Sequence, residues 1–356
     1  MIKILTNPLY INIFLLLLEG AFILKNKRLK NGRKLFVVLA STQWIIISGL
    51  RHLTIGEDTL NYLGIYEITL GIPLSEIFTD ISQLFLGGAH GIESGYYIFQ
   101  RLTQMVFPEY QFFLFVIALI FHTALGVWIF KYSRDPLISF LIYSTLFYYF
   151  FAFTGHRQTV ATALVVLIGY KYVRERKLIS FCIITLFAFA IHKSAILFLP
   201  FYFIANQKLT RNKVVLALMI FPILMFFRDP IATAILKLSW YNYGLYDGGG
   251  TYVFTSMLVL VTIASIWKMK RILLMNTSAV HYINALIIAL ILTPFTWFNP
   301  SAMRVVQYYS LFLVFLVPEI FAAFNSREKV LVYFGGIGII LLLFARNNPQ
   351  YLFFWQ

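Results

Sequence analysis

The chain has one cysteine in 356 residues, Cys182, and it sits in an apolar run. That excludes a disulfide framework and any cysteine-based metal site. Charge is also scarce. Only 12% of residues are Asp, Glu, Lys or Arg, against about 25% in ordinary soluble domains. No Asp-x-Asp pair, no His-x-x-x-His spacing, no Walker loop, no Rossmann fingerprint and no Gly-x-Ser-x-Gly elbow occurs in a credible context. A tightly held metal, a cofactor and the common nucleotide folds are therefore not indicated. What is abundant is apolar: 60% of residues are hydrophobic, 37 are Phe and 22 are Tyr. One soluble core cannot hide so much apolar surface. The runs have helical length, so the sequence predicts an all-α polytopic membrane protein and not a barrel.

The net charge of +15 is distributed in a way that excludes nucleic acid as its partner. Six short basic clusters, at 25–34, 131–134, 171–177, 208–213, 268–271 and 327–329, hold 20 of the 29 Lys and Arg residues. Aromatics are not interleaved with them and no domain stands behind them. The positive-inside rule places all six in the cytoplasm, so successive clusters must be separated by an even number of crossings. One interval fails unless it folds back: between Lys177 and Lys208 a single apolar run, 178–205, is interrupted by His192 and Lys193. The reading is a hairpin of two short helices with an outward tip. Each arm, at roughly 21 Å, is shorter than a hydrocarbon core of about 30 Å, so the tip is sunk.

The resulting expectation is one transmembrane domain over 1–356 with about twelve helices and both termini outside. A long outer loop over 51–109 carries amphipathic stretches at 72–85 and 94–107, and another amphipathic stretch, at 231–243, leads into a glycine-rich outer turn. The first apolar segment reads as a retained helix, since it has no small-residue cleavage site and is followed by a strongly basic stretch.

Charges outside the basic clusters gather at outward junctions. These are 51–66 with Arg51 and Asp58, 93–97 with Glu93, 154–159 with Arg157, 299–309 with Arg304, and the hairpin tip with His192 and Lys193. Each has a bland explanation alone: snorkelling for Arg51, helix capping for Asp58 or Glu93, packing for His192 as for His122 and His281. Together they place three arginines, carboxylates and a histidine on one face of one membrane, where charge is costly unless it pairs or serves a ligand. Guanidiniums suit phosphate oxygens, and Tyr62, Tyr96 and Tyr308 are among the aromatics suited to sugar rings.

At these residues the chain resembles the EpsG-like branch of the Wzy (O-antigen polymerase) group of bacterial polysaccharide polymerases. The resembling pieces, in order, are Arg51, Gly56, Asp58, Thr59, Tyr62 and Tyr66; Glu93, Gly95 and Tyr96; Gly155, Arg157, Gln158 and Ala161; Ile191 to Ala195; and Met303, Arg304, Tyr308 and Tyr309. Glu57 and His156 depart from the pattern, and His156 adds a second candidate base.

The resemblance implies a GT-C-like glycosyltransferase of the bacterial inner membrane. It would join undecaprenyl-diphosphate-linked oligosaccharide units into O-antigen, capsule or exopolysaccharide on the outer side, beside membrane lipids, a flippase and a chain-length regulator. Arg51, Arg157 and Arg304 would hold the diphosphate. His192 would be the base, with Asp58 as its rival. Glu93, Tyr62, Tyr96, Gln158, Lys193 and Tyr308 would contact substrate. A lipid-linked oligosaccharide flippase and a polysaccharide ligase are the competing readings.

Overall fold

The computed structural model describes residues 6–73, 76, 93–146, 148–238, 251–347 and 349–356. Among them the chain is helical, and its sole β feature is an isolated antiparallel bridge between Arg51 and Phe353. Contacts divide it into two units, 1–199 with 334–356, and 200–333.

In the first unit, α1 (Pro8–Glu19) starts where the Asn7 side chain accepts the Leu9 N–H and Pro8 supplies a preset φ. It runs on as a π-helical turn, Gly20–Leu24. Then come α2 (Gly32–Gly49), α3 (Thr59–Leu70), α4 (Ser94–Val106) and α5 (Tyr110–Tyr132). Next are α6 (Pro136–Thr145), capped by Asp135, and α7 (Tyr148–Thr154). Helix α8 (His156–Thr162) widens into a π-helical segment, Ala163–Ile168, and continues as α9 (Tyr170–Arg174). Helix α10 (Leu178–Ile191) is followed by a 3-10 segment, Lys193–Phe198.

The tight α2–α5 packing is centred on Trp44, whose indole N–H donates to Ser144 Oγ at 3.1 Å. His122 stacks on that indole, with its Nδ1 at 2.9 Å from the Ala118 carbonyl and its Nε2 at 2.9 Å from the Tyr143 hydroxyl. It is a packing residue, as its mid-span position suggests.

The run 178–205 breaks at His192, where the backbone is extended (φ −154°, ψ 114°). A continuous helix would separate residues 181 and 198 by about 26 Å at 1.5 Å per residue. Their rings instead pack with centroids 6.2 Å apart, so the chain reverses at His192. The C-terminal residues return to the start of this unit. His52 N–H donates to Leu352 O, Phe354 N–H to Leu50 O, and Asn7 Nδ2 to Pro349 O. Both ends of the described chain thus lie beside the Arg51 junction.

The second unit holds α11 (Phe201–Ile204), α12 (Arg211–Leu238), α13 (Tyr252–Trp267), α14 (Met269–Met275), α15 (Ala279–Leu292), α16 (Met303–Ser310) and α17 (Leu313–Ala322). Its core is aromatic, with Phe201, Tyr282, Tyr309, Phe312 and Phe315 in ring contact. Asn284 donates to the carbonyls of Ile204 and Ala205, and His281 Nε2 meets Asn206 Oδ1 at 2.9 Å, again a packing role. The last helix, α18 (Ser326–Asn347), begins in this unit, and its residues from 334 onward belong to the first.

By helix length and apolar composition, the described residues show fewer full-length spans than the expected twelve. Among the described residues four unbroken helices are long and apolar enough to cross a membrane: Tyr110–Tyr132, Lys213–Ala234, Ala279–Trp297 and Ser326–Asn347. The number rises to seven if each of three bent pairs is one span, and Pro8–Leu24, Leu178–Ile191 and Lys193–Ile204 are shorter apolar helices. Hydropathy counts apolar runs, whereas a span of about 30 Å needs roughly twenty residues of unbroken helix. Bends such as the 72° turn after Trp267 interrupt that continuity without interrupting the apolar composition. The stretch 231–238 is not a separate interfacial helix; α12 passes through Pro222 and Pro230 into it. The rest of that stretch, the glycine-rich turn after it and most of 72–85 lie outside the described residues.

Candidate functional site

The first unit assembles its polar residues around one carboxylate. Glu93 occupies the N-cap position of α4, yet its side chain makes no capping bond. It is turned instead toward the break after α10. Oε1 accepts the Lys193 backbone N–H at 3.1 Å and meets His192 Nδ1 at 3.2 Å. Oε2 accepts from Arg157 Nη1 at 2.6 Å. The approach is made by Gly95: a Cβ there would lie 2.5 Å from the Ala190 carbonyl, so no other residue lets α4 come this close to α10.

Burial opposes the charge on Glu93, but the His192 hydrogen bond, the Arg157 charge and the Lys193 N–H outweigh it and hold its pKa at about 2. Glu93 is therefore ionised at neutral pH. Facing an ionised oxygen, Nδ1 of His192 carries a hydrogen. Arg157 is fixed on a second edge, with Nε donating to the Tyr62 hydroxyl at 3.4 Å and the guanidinium 5.7 Å from the Tyr62 ring centre. Its side chain keeps 20% of its surface, and Nη2 has no hydrogen-bond partner among the described residues. The arrangement is an anion that orients an imidazole on one side and a half-shielded guanidinium on the other.

Beneath it lies a second layer. Arg51 has no accessible surface. It donates to the carbonyls of Ser48 and Phe153, meets His156 Nε2 at 2.9 Å, and sits 5.3 Å from the Phe153 ring centre. Burial lowers its pKa to about 10, which leaves it charged at neutral pH. A charged donor on Nε2 requires His156 to carry its hydrogen on Nδ1, toward the Tyr110 hydroxyl at 3.4 Å, and that hydroxyl donates to Thr59 O at 3.1 Å. His156 in turn stacks on Tyr62 with centroids 4.5 Å apart. Fully buried and accepting from Arg51, His156 is committed to this network, which removes it as a second base facing substrate. Gly56 makes the turn that brings Asp58 and Thr59 here; its φ is +98°, and a Cβ would lie 2.6 Å from the Phe153 carbonyl.

Sequence-expected residues thus fall into four groups. Glu93, Arg157, His192, the Lys193 backbone and Tyr62 form one bonded cluster, with Tyr96 buried against Tyr62 at 5.8 Å and Gln158 buried in α8. Arg51 lies below that cluster. Asp58 precedes α3 half-buried, and its side chain makes no capping bond to that helix. Arg304, half-buried, and Tyr308, fully buried, belong to α16 of the second unit.

Sequence reasoning treated Glu93 as a substrate contact and did not find it as the hub. It also missed Tyr110 and Tyr351, whose hydroxyl donates to the Ile47 carbonyl beside Arg51. The Tyr351, Phe353 and Trp355 alternation was the available signal for the returning tail. Among the described residues no three His, Cys, Asp or Glu side chains come together as a metal site.

No curated protein and no solved structure matches the chain. Nearly the whole of it, residues 34–355, does match one family, and the match includes Arg51, the Glu93 cluster and the helix that carries Arg304: this helical chain of several apolar spans belongs to the EpsG family.

Proposed function

We propose that the chain is a Wzy-type polysaccharide polymerase of the bacterial inner membrane. Its reaction moves a growing glycan from undecaprenyl diphosphate to the non-reducing end of a second lipid-linked unit, on the outer side. The EpsG family points to a polymerase of polysaccharide biosynthesis, a coarser statement that this reading sharpens. The observation that carries it is the double grip of Glu93, which supports a proton acceptor and a phosphate-seeking cation on a common anion.

In this reading Nε2 of His192 takes the proton of the acceptor hydroxyl as its oxygen attacks the anomeric carbon. The bond from that carbon to the diphosphate oxygen breaks, and the lipid diphosphate leaves with the electron pair. Arg157, through its Nη2 edge, stabilises the charge that develops there. Asp58 is the alternative acceptor. Arg51 is assigned to positioning rather than to the diphosphate, since it is enclosed and engaged by carbonyls and His156. A twelve-crossing, GT-C-like topology belongs to the same proposal, with the short helices Pro8–Leu24 and Leu178–Ile191 as crossings of less than full thickness.

The test is reconstitution of purified protein with defined undecaprenyl-diphosphate-linked repeats and resolution of the products by length. Wild type should give a ladder, and Arg157→Lys, which keeps charge but loses the planar fork, should give almost none while remaining folded. A normal ladder from Arg157→Lys removes the proposed diphosphate contact. Absence of any ladder from wild type, alongside transfer of intact lipid-linked units across the membrane, would make the chain a carrier.

A further inference from the structure

On the side of the first unit formed by α2, α5, α8 and α9, two grooves flank a ridge of α5. The larger, about 410 Å³, runs between α5 and the π-helical segment, with Leu119, Ala124 and Val127 on one wall and Leu167 and Ile168 on the other. The smaller, about 270 Å³, lies between α2 and α5 and is lined by Val38, Ile45 and Phe130, among others. Thr123 and Val127 line both, so they form the crest between them. The crest and walls are open: Leu119, Val127, Phe130 and Ile168 each keep 40% or more of their surface. The π geometry is explicit at Gly169, whose N–H donates to Leu164 O, five residues back, at 2.8 Å. Such turns are uncommon and often mark functional positions.

Both grooves end in cations. Lys131 and Lys171 close the larger and Lys34 the smaller. Arg33 donates to the carbonyls of Ile129, Phe130 and Ser133, covering the negative end of α5, and Arg174 lies 4.7 Å from the Tyr132 ring centre. The acidic groups at the mouth are Glu175, which is 2.7 Å from Lys177 and 4.0 Å from Lys171, and Asp135, whose charge acts on Arg33. The mouth is therefore strongly cationic in net. From Leu119 to Lys131 the larger groove runs about 18 Å at 1.5 Å per residue. That is close to half of a hydrocarbon core of about 30 Å, the depth of a single leaflet. The lysines mark the end that the positive-inside rule assigns to the cytoplasm.

The geometry points to a binding site for one anionic phospholipid of the cytoplasmic leaflet, straddling the α5 ridge with one acyl chain in each groove and its phosphate among Lys34, Lys131 and Lys171. Two apolar grooves on either side of a shared crest fit a two-chained lipid, and the cationic mouth fits its headgroup. The site is independent of the polymerase reading.

The full-length protein, taken into detergent with mixed phosphatidylglycerol and phosphatidylcholine, is examined by native mass spectrometry. Wild type should retain one phosphatidylglycerol in preference to phosphatidylcholine. Each basic residue at an anionic lipid is worth roughly fivefold in affinity, so Lys131→Gln with Lys171→Gln should weaken retention about 25-fold. The corresponding double Arg variant should restore it. Ile168→Trp fills the larger groove from an exposed position with every charge in place, and should also lower retention. That variant decides the matter if the double Gln protein does not fold. Equal retention of both lipids, undiminished phosphatidylglycerol in Ile168→Trp or in the folded double Gln variant, or displacement by equimolar undecaprenyl phosphate would each overturn the proposal.

Discussion

Glu93→Gln is the substitution that most directly examines the site. It keeps the size of the side chain and its contact with the Lys193 N–H while removing the charge. The gain from that charge follows from the depression of the Glu93 pKa from 4.5 to about 2, which corresponds to about 3 kcal/mol of preference for the ionised form at this buried position. In the variant a neutral amide oxygen still accepts from Lys193 or His192, but the amide NH2 group turns toward Arg157 Nη1, where the carboxylate now lies at 2.6 Å, and a donor then faces a donor. Arg157 loses its orienting anion and His192 its ionised partner.

If the full 3 kcal/mol is expressed in the transition state, turnover falls by about two orders of magnitude. Thermal stability should fall as well, because a buried cation loses its partner. The assay is the rate of ladder formation from defined lipid-linked repeats, with detergent-stable monodispersity as the folding control. A folded Glu93→Gln protein that keeps a third or more of the wild-type rate would refute the clamp.

The pH dependence has a definite sign. The folded-state pKa of Glu93 is depressed, so its contribution is complete above about pH 4.5 and is lost as pH falls toward 2. Loss of activity between pH 7 and 5 therefore has to come from another group, and Glu93→Asp should leave that limb in place.

Further outcomes are expected. His192→Gln should retain substrate binding and lose the chemical step; turnover near wild type in this variant together with an inactive Asp58→Asn moves the base to Asp58. Arg51→Lys should lower the melting temperature, since a single ammonium cannot span two carbonyls and His156 as the guanidinium does, and it should depress kcat more than KM if Arg51 acts through His156 and Tyr62; a change confined to KM would show direct substrate contact. Gly95→Ala places a Cβ 2.5 Å from the Ala190 carbonyl and should destabilise the protein by about 1 to 3 kcal/mol while parting Glu93 from His192, so unaltered stability and activity count against the close α4–α10 approach. A cysteine at Thr210, in a background where the exposed Cys182 is replaced by Ser, should be labelled only after permeabilisation; labelling in intact cells contradicts the outward hairpin.

The helical class, the membrane setting and the break at His192 were legible in the sequence because each follows from local composition: apolar runs of helical length, and a polar pair inside one of them. Family kinship was legible too, since its motif residues stand in order along the chain. The number of full-length spans was not, because helix continuity depends on bends and turns that hydropathy does not register.

The candidate site shows the same division. Arg157, His192 and Glu93 each announced themselves as costly charges in an apolar protein, but Glu93 is 64 residues from Arg157 and 99 from His192. Their meeting depends on how closely α4 and α10 approach at Gly95, a distance that no local pattern encodes. Likewise Arg51 and Arg157 look alike in sequence, as charged residues at helix ends. Packing separated them: the returning C-terminal segment, His156 and the Phe153 ring enclose Arg51, while Arg157 keeps an edge uncovered. Sequence determined which residues carry charge; the tertiary structure decided which of those charges are enclosed to hold others in place and which retain access to a ligand, because burial depends on segments far apart along the chain.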